Sequence, residues 1–274
     1  MSAKKTGNGT LVAIGGKEDK RDGLEILRRV IEEGKGRDTH IEVVTTASRE
    51  PKPLARIYED TFKRIGVSRY EVINIASREE ANSDAVSKRM AEADIIFFTG
   101  GDQLRLTSIL GGSKFLKTLR ECYEHGTMIA GTSAGAAAIS DTMIYGGESR
   151  YGLVKSNVSM SPGFGFIKHV VFDTHFIGRG RIIRLFQVVA TNPANVGVGL
   201  SEDTAIIMRD EYIMEVIGNG IVIVVDGSHL RNSNISHIGK GDLIAAENFH
   251  VHSLIAGYKY DLKARRVIVP SHHQ

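Results

Sequence analysis

The sequence predicts an α/β fold, a three-layer sandwich whose mostly parallel central sheet is extended by antiparallel strands. Three observations predict it. Short apolar runs at 11–16, 40–48, 69–76, 94–101 and 127–133 are near-continuous rather than alternating, as strands buried on both faces are. Segments with helical spacing separate them, which is the βαβ pattern of a parallel sheet. After residue 190 the chain turns to strand-like runs joined by tight turns.

The elements follow in order. "LVAIGG" (11–16) reads as a buried strand ending in a glycine turn, and Leu24, Leu27, Val30 and Ile31 repeat at helical spacing. "HIEVVTTAS" (40–48) is the second strand; Pro51 and Pro53 open a charged helix to about Ile65. "RYEVINIA" (69–76) is the third strand, and Ser83 caps a helix over "SDAVSKRMAEA". "DIIFFTGG" (94–101) is the fourth strand, with Asp102 as N-cap of a helical stretch over 103–125 that breaks near Gly111-Gly112. "TMIAGTS" (127–133) is the fifth strand. Beyond it, "HVVFDTHF" (169–176) reads as a strand and "RIIRLFQVVA" (181–190) as a helix. "VGVGLSEDTAIIM", "YIMEVIG" and "IVIVVDG" then read as one β-meander with turns at Arg209-Asp210 and Asn219-Gly220. A single domain over 1–274 accommodates all of this.

Composition narrows the function. The 274 residues are 42% hydrophobic and 24% charged, enough for a full core. A net charge of +3, no block of like charges and no tryptophan argue against nucleic acid. Cys122 is the one cysteine, so no disulfide framework forms within the chain. No apolar segment follows the N-terminal lysines, and the expectation is a cytoplasmic protein with no membrane contact.

One short stretch carries the chemistry. In "IAGTSAGAA" (129–137), Gly131-Thr132-Ser133-Ala134-Gly135 is a Gly-x-Ser-x-Gly pattern between a strand and a helix. There the serine stands at the apex of a tight turn, glycines let strand and helix approach, and the next N–H, that of Ala134, faces a developing oxyanion. A serine nucleophile needs a base. Of the ten histidines, His175 ends a strand before a glycine-broken loop, at the carboxyl edge where sites of parallel sheets gather. His40 begins a strand at the opposite edge, and His272 and His273 are terminal. His250 and His252 share a strand face without a third ligand at metal spacing, so no metal site is expected. The base needs an orienting carboxylate, for which Glu202, Glu148 and Asp173 are candidates. The Gly-Gly turn of "FFTGGDQLRL" offers a second set of oxyanion donors at Gly101 and Asp102. "GGKEDK" (15–20) lacks P-loop spacing and reads as a loop at the same edge, with Lys17 or Glu18 able to reach a substrate.

"AIGGKEDK", "FFTGGDQLRL", "AGTSAGAAAIS", "DTHFIGRGRIIRLF" and "GVGLSEDTAI", in this order, resemble the cyanophycinases, serine peptidases related to the aspartyl dipeptidases called peptidase E. The resemblance runs from about residue 10 to 226. It implies a class I glutamine amidotransferase-like fold, Ser133 as nucleophile, His175 as base and Glu202, rather than Glu148, as orienting acid. The substrate implied is cyanophycin, a polyaspartate carrying arginine on its side-chain carboxyls, and the product β-Asp-Arg dipeptide. No cofactor is implied, and a homodimer is. Pocket residues implied are Gln103, Asp173, Arg179, Arg181 and Arg184. Cyanophycinases carry glutamine just before the histidine, where this chain has Thr174, which shortens one pocket side chain. Three arginines beside the base suit carboxylate recognition, and Asp173 or Glu148 could meet a substrate guanidinium. The rival readings are an aspartyl dipeptidase, a glutaminase-type subunit, which would need cysteine in place of Ser133, and a binding module with a vestigial elbow.

Overall fold

The computed structural model describes residues 8–148 and 153–271. The strands are β1 Leu11–Ile14, β2 His40–Val44, β3 Arg69–Ile73, β4 Ile95–Phe98, β5 Met128–Thr132, β6 Thr142–Gly146, β7 Ser159–Pro162 and β8 Val170–Asp173. They continue as β9 Val196–Leu200, β10 Thr204–Met208, β11 Ile213–Gly218, β12 Val222–Asp226, β13 His250–Leu254, β14 Lys259–Asp261 and β15 Arg266–Ile268. The helices are α1 Glu25–Glu33, α2 Pro51–Ile65, α3 Asp84–Met90, α4 Gln103–Leu110, α5 Lys114–Glu124, α6 Ala134–Ile139 and α7 Ile182–Thr191.

The main sheet runs β15-β14-β11-β10-β1-β5-β4-β2-β3. β1, β5, β4, β2 and β3 pair in parallel, and β10, β11, β14 and β15 extend them antiparallel. Side chains of β1 alternate between two cores, as the pleat requires. Val12 and Ile14 pack with α1 and with Tyr58 and Phe62 of α2. Leu11 and Ala13 share the opposite core with Leu106, Phe115, Leu119 and the alanines of α6. Phe97 and Phe98 enter opposite cores and are fully buried, each contributing roughly 1.5–3 kcal/mol of transfer free energy.

The structure corrects the single meander. Of the strands β9 to β12, only β10 and β11 form a hairpin, across Arg209-Asp210. β9 and β12 leave the main sheet and pair antiparallel with each other in a second sheet, β13-β12-β9-β8. The burial explains the division. β11 alternates buried and half-exposed residues, as a strand with one face partly open does, whereas β9 and β12 are buried throughout. One face of the second sheet joins the core of α4, α5 and α6, and α7 covers the other. The turn at Asn219-Gly220 is thus a passage between sheets. Ser83 holds the N-cap position of α3 without a side-chain capping bond. The terminal His272 and His273 lie outside the described residues. Among the described residues, no helix is long and apolar enough to cross a membrane.

Candidate active site

Ser133 follows β5 directly and precedes α6, with φ 53° and ψ −109°. A non-glycine residue rarely adopts this backbone, and strain of this kind gathers at functional sites. Both flanking glycines are required. A Cβ on Gly131 would come within 2.5 Å of the Gly135 backbone, and one on Gly135 within 2.5 Å of the Phe98 carbonyl oxygen. The turn is braced from two sides. Ser133 N–H donates to the Ile14 carbonyl at 2.9 Å. Thr132 Oγ1 donates to Glu18 Oε2 at 2.6 Å, while Glu18 Oε1 accepts from Tyr58 Oη at 2.5 Å.

His175 lies just beyond β8, in a turn of positive φ (50°). Its N–H donates to the Gly15 carbonyl at 2.8 Å. Its ring rests on Gly16, where a Cβ would sit 2.5 Å from Nε2. Nε2 is 3.0 Å from Ser133 Oγ, and Nδ1 is 2.8 Å from Glu202 Oε1. Glu202 occupies the turn between β9 and β10. That turn is anchored by Asp203, whose N–H donates to the Gly16 carbonyl and whose Oδ1 accepts the Asp19 N–H. An ionised carboxylate only accepts, so Nδ1 carries the proton and Nε2 offers its lone pair to the serine hydroxyl.

Electrostatics favour those forms. Burial holds His175 below the usual imidazole range, against the opposing pull of Glu202. The hydrogen bond from Lys17 holds Glu202 below the usual carboxylate range, and the bond from His175 adds to it. Lys17 Nζ is 2.9 Å from Glu202 Oε1. Lys17 therefore serves Glu202, and Glu18 faces inward, 3% exposed, with Lys20 Nζ 2.8 Å away. Glu18 therefore does not reach out as the sequence suggested for this loop, while Lys17 stays exposed beside Glu202.

The other sequence candidates divide. Gly101, with φ 148°, passes so close to Ala47 that a Cβ would lie 2.1 Å from its carbonyl oxygen. Asp102 N–H donates to that same carbonyl at 2.9 Å, which commits it and corrects its expected part as an oxyanion donor. The Asp102 carboxylate caps α4, accepting from Leu104 and Arg105 N–H. Gln103 Nε2 donates to the Ile144 carbonyl at 2.9 Å, tying α4 to β6. Asp173 is buried against two guanidiniums, with Oδ1 3.2 Å from Arg181 Nη1 and from Arg184 Nη2. Arg184 Nε also stands 3.0 Å from Asp173 Oδ2, an ion-pair contact off the hydrogen-bond axis. Burial pushes the Asp173 carboxyl up while both arginines pull it down. Asp173, 2% exposed, is therefore enclosed by guanidiniums of its own chain and does not present its carboxylate to a substrate guanidinium, contrary to expectation, and Arg184 is itself buried. Arg181 also donates to the carbonyl of Thr174, which is buried. Arg179 is exposed, and among the described residues its guanidinium meets no carboxylate. Glu148 is exposed on the loop after β6, and the imidazole Nδ1 is taken by Glu202. His250 and His252 belong to β13 of the second sheet, where His250 stacks on His229. The seat that Gly16 provides for the imidazole was not anticipated; the Gly-Gly pair after the first strand was its only signal.

Comparison with known proteins places the chain in a family. The profile of Peptidase family S51 matches residues 11–216. A cyanophycinase from Synechococcus elongatus is 34% identical over 260 residues, covering 94% of this chain and 81% of its own. One from Nostoc sp. (strain PCC 7120 / SAG 25.82 / UTEX 2576) is 35% identical over 263 residues, covering 96% and 88%. The crystal structure of a peptidase from an acI-B1 Actinobacterium superposes with a TM-score of 0.71 at 20% identity, over 95% of this chain and all of that one. The shared architecture is the class I glutamine amidotransferase-like α/β sandwich. With a family profile over most of its length and relatives above 30% identity, this chain belongs to peptidase family S51 and is a serine-type peptidase.

Proposed function

We propose that this peptidase hydrolyses cyanophycin to β-Asp-Arg dipeptides, with Ser133, His175 and Glu202 as its catalytic triad. The observation that carries the proposal is the continuous line from Ser133 Oγ to His175 Nε2 at 3.0 Å and from Nδ1 to Glu202 at 2.8 Å. The substrate comes from the relatives, whose printed name is cyanophycinase.

In this mechanism His175 Nε2 takes the Ser133 proton as Oγ attacks a main-chain carbonyl of the aspartate polymer. The oxyanion meets the N–H of Ala134, in the first turn of α6 where donors lack intrahelical partners, and the N–H of Gly101. Each such donor is worth about 3 kcal/mol of barrier. His175 returns the proton to the leaving amine, and water activated by the same imidazole releases the acyl group. Arg179, exposed four residues after the base, is the guanidinium of its cluster that can receive a substrate carboxylate. The family resemblance extends the reading to a homodimer, an assembly state that sedimentation of the purified chain measures.

Ser133→Ala removes cyanophycin hydrolysis and leaves the melting temperature unchanged. Turnover at the wild-type rate in that variant overturns the triad. Parallel assays on cyanophycin and on Asp-Leu decide the substrate: cleavage of Asp-Leu alone replaces this reading with that of an aspartyl dipeptidase.

A further inference from the structure

The N-terminal edge of the parallel sheet, remote from the serine, gathers side chains that the peptidase reading does not use. His40 opens β2 and Glu42 follows two residues later, so the pleat turns both to one face. Register places Glu71 of β3 beside Glu42. His40 Nε2 lies 3.6 Å from Glu42 Oε1 and 3.8 Å from Glu71 Oε1. One donor atom from each residue falls within 4.8 Å of the other two.

The state of His40 gives this cluster a meaning. The residue is 4% exposed, and Nε2 is buried with no hydrogen-bond partner among the described residues. Separations of 3.6 and 3.8 Å are too long for a hydrogen bond to either carboxylate. Its other nitrogen, Nδ1, lies 3.1 Å from the Glu92 carbonyl oxygen. A carbonyl can only accept, so Nδ1 holds the proton and Nε2 turns a bare lone pair toward two carboxylate oxygens. Three electron-pair donors within 4.8 Å of one another can surround a cation. A histidine that donates its second nitrogen to a backbone carbonyl is oriented as metal-bound histidines are.

The neighbouring cations hold the carboxylates from outside. Arg89 of α3 grips Glu42 with Nε at 3.1 Å and Nη2 at 2.6 Å, and its Nη2 stands 3.3 Å from Glu71 Oε2. Arg69 Nε is 3.6 Å from Glu71 Oε1, while Arg69 Nη2 is engaged by Glu92 at 2.9 Å. Two carboxylates against the shared Arg89 leave negative charge at the point the imidazole faces. Glu71 is the solvent-exposed member, so water has access as a further ligand.

We propose that His40, Glu42 and Glu71 bind one divalent transition-metal ion of the zinc class, which fastens β2 to β3. One imidazole and two carboxylates suit zinc, and water completes a tetrahedron. The ion is structural, because it lies across the sheet's length from Ser133 and stabilises the folded chain by binding it alone.

The test is titration of the full chain, dialysed against chelator, with Zn²⁺ by calorimetry and with Co²⁺ by visible absorption. One equivalent per chain is expected, with affinity weakened about tenfold or more by His40→Gln and by Glu71→Gln. Zn²⁺ raises the melting temperature of the wild type and not that of Glu71→Gln. Glu71 is half-exposed, so its variant folds even if that of the buried His40 does not. The proposal falls if no ion binds, if both variants keep full affinity, or if nitrogen NMR of the metal-free chain at neutral pH finds a proton on His40 Nε2.

Discussion

The imidazole of His175 occupies the space that a side chain on Gly16 would fill: a Cβ built there meets Nε2 at 2.5 Å. Gly16 also has φ 96°, which L residues rarely adopt. Gly16→Ala therefore drives the ring off Ser133 Oγ. The expected result is a loss of about a hundredfold or more in kcat/KM on cyanophycin, because small misplacements of reacting groups cost that much. Steady-state kinetics beside a thermal melt checks it; undiminished kcat/KM in a folded variant contradicts the geometry.

Glu202 and Glu148 are separated by one comparison. Glu202→Gln keeps the size of the side chain but removes the charge that fixes the Nδ1–H tautomer, and kcat falls by roughly 10²–10⁴. Glu148→Gln leaves kcat near the wild-type value. Equal losses in the two variants would count against Glu202 as the orienting acid.

The pH profile has a definite sign. His175 must be neutral to accept the serine proton, and burial holds it below its usual value of about 6.5. The acid limb of kcat/KM accordingly lies below that value. Lys17→Met removes the largest influence lowering Glu202, and it also withdraws a cation from the neighbourhood of the imidazole. Both changes favour protonation, so the acid limb moves to higher pH. A profile of the two proteins from roughly pH 4.5 to 8 reads the shift directly.

Asp173 and Arg179 are expected to fail in different ways. Asp173→Ala strands Arg184, which is 5% exposed, together with the half-buried Arg181. Removing one partner of such a buried network costs about 3–5 kcal/mol, measurable by urea unfolding. Arg179→Ala touches an exposed guanidinium, so stability changes by about 0.5 kcal/mol or less while KM for cyanophycin rises and kcat holds. A wild-type KM in that variant removes Arg179 from substrate binding.

Local pattern accounts for what was legible. Continuous apolar runs set the five parallel strands, and glycine spacing around Ser133 marked the sharp turn, since steric need at a crossing is written in adjacent residues. Asp102 as a cap was legible for the same reason. The division of β9 to β12 between two sheets was not, because strand pairing is a long-range choice and a turn signal at Asn219-Gly220 serves a passage as well as a hairpin.

By itself, then, the sequence determined an α/β chain with a serine raised at the end of its fifth strand, because propensity, pleat and turn sterics act over a few residues. Tertiary structure alone decided that Glu202 meets the imidazole, that Gly16 seats it, that Asp173 is consumed by two arginines, and that Glu71 stands beside Glu42. Apart from the Asp173 pairs, which span 8 and 11 residues, those contacts join residues far apart in the chain. Their distances follow from sheet order and register, which the whole core fixes together and no single segment encodes.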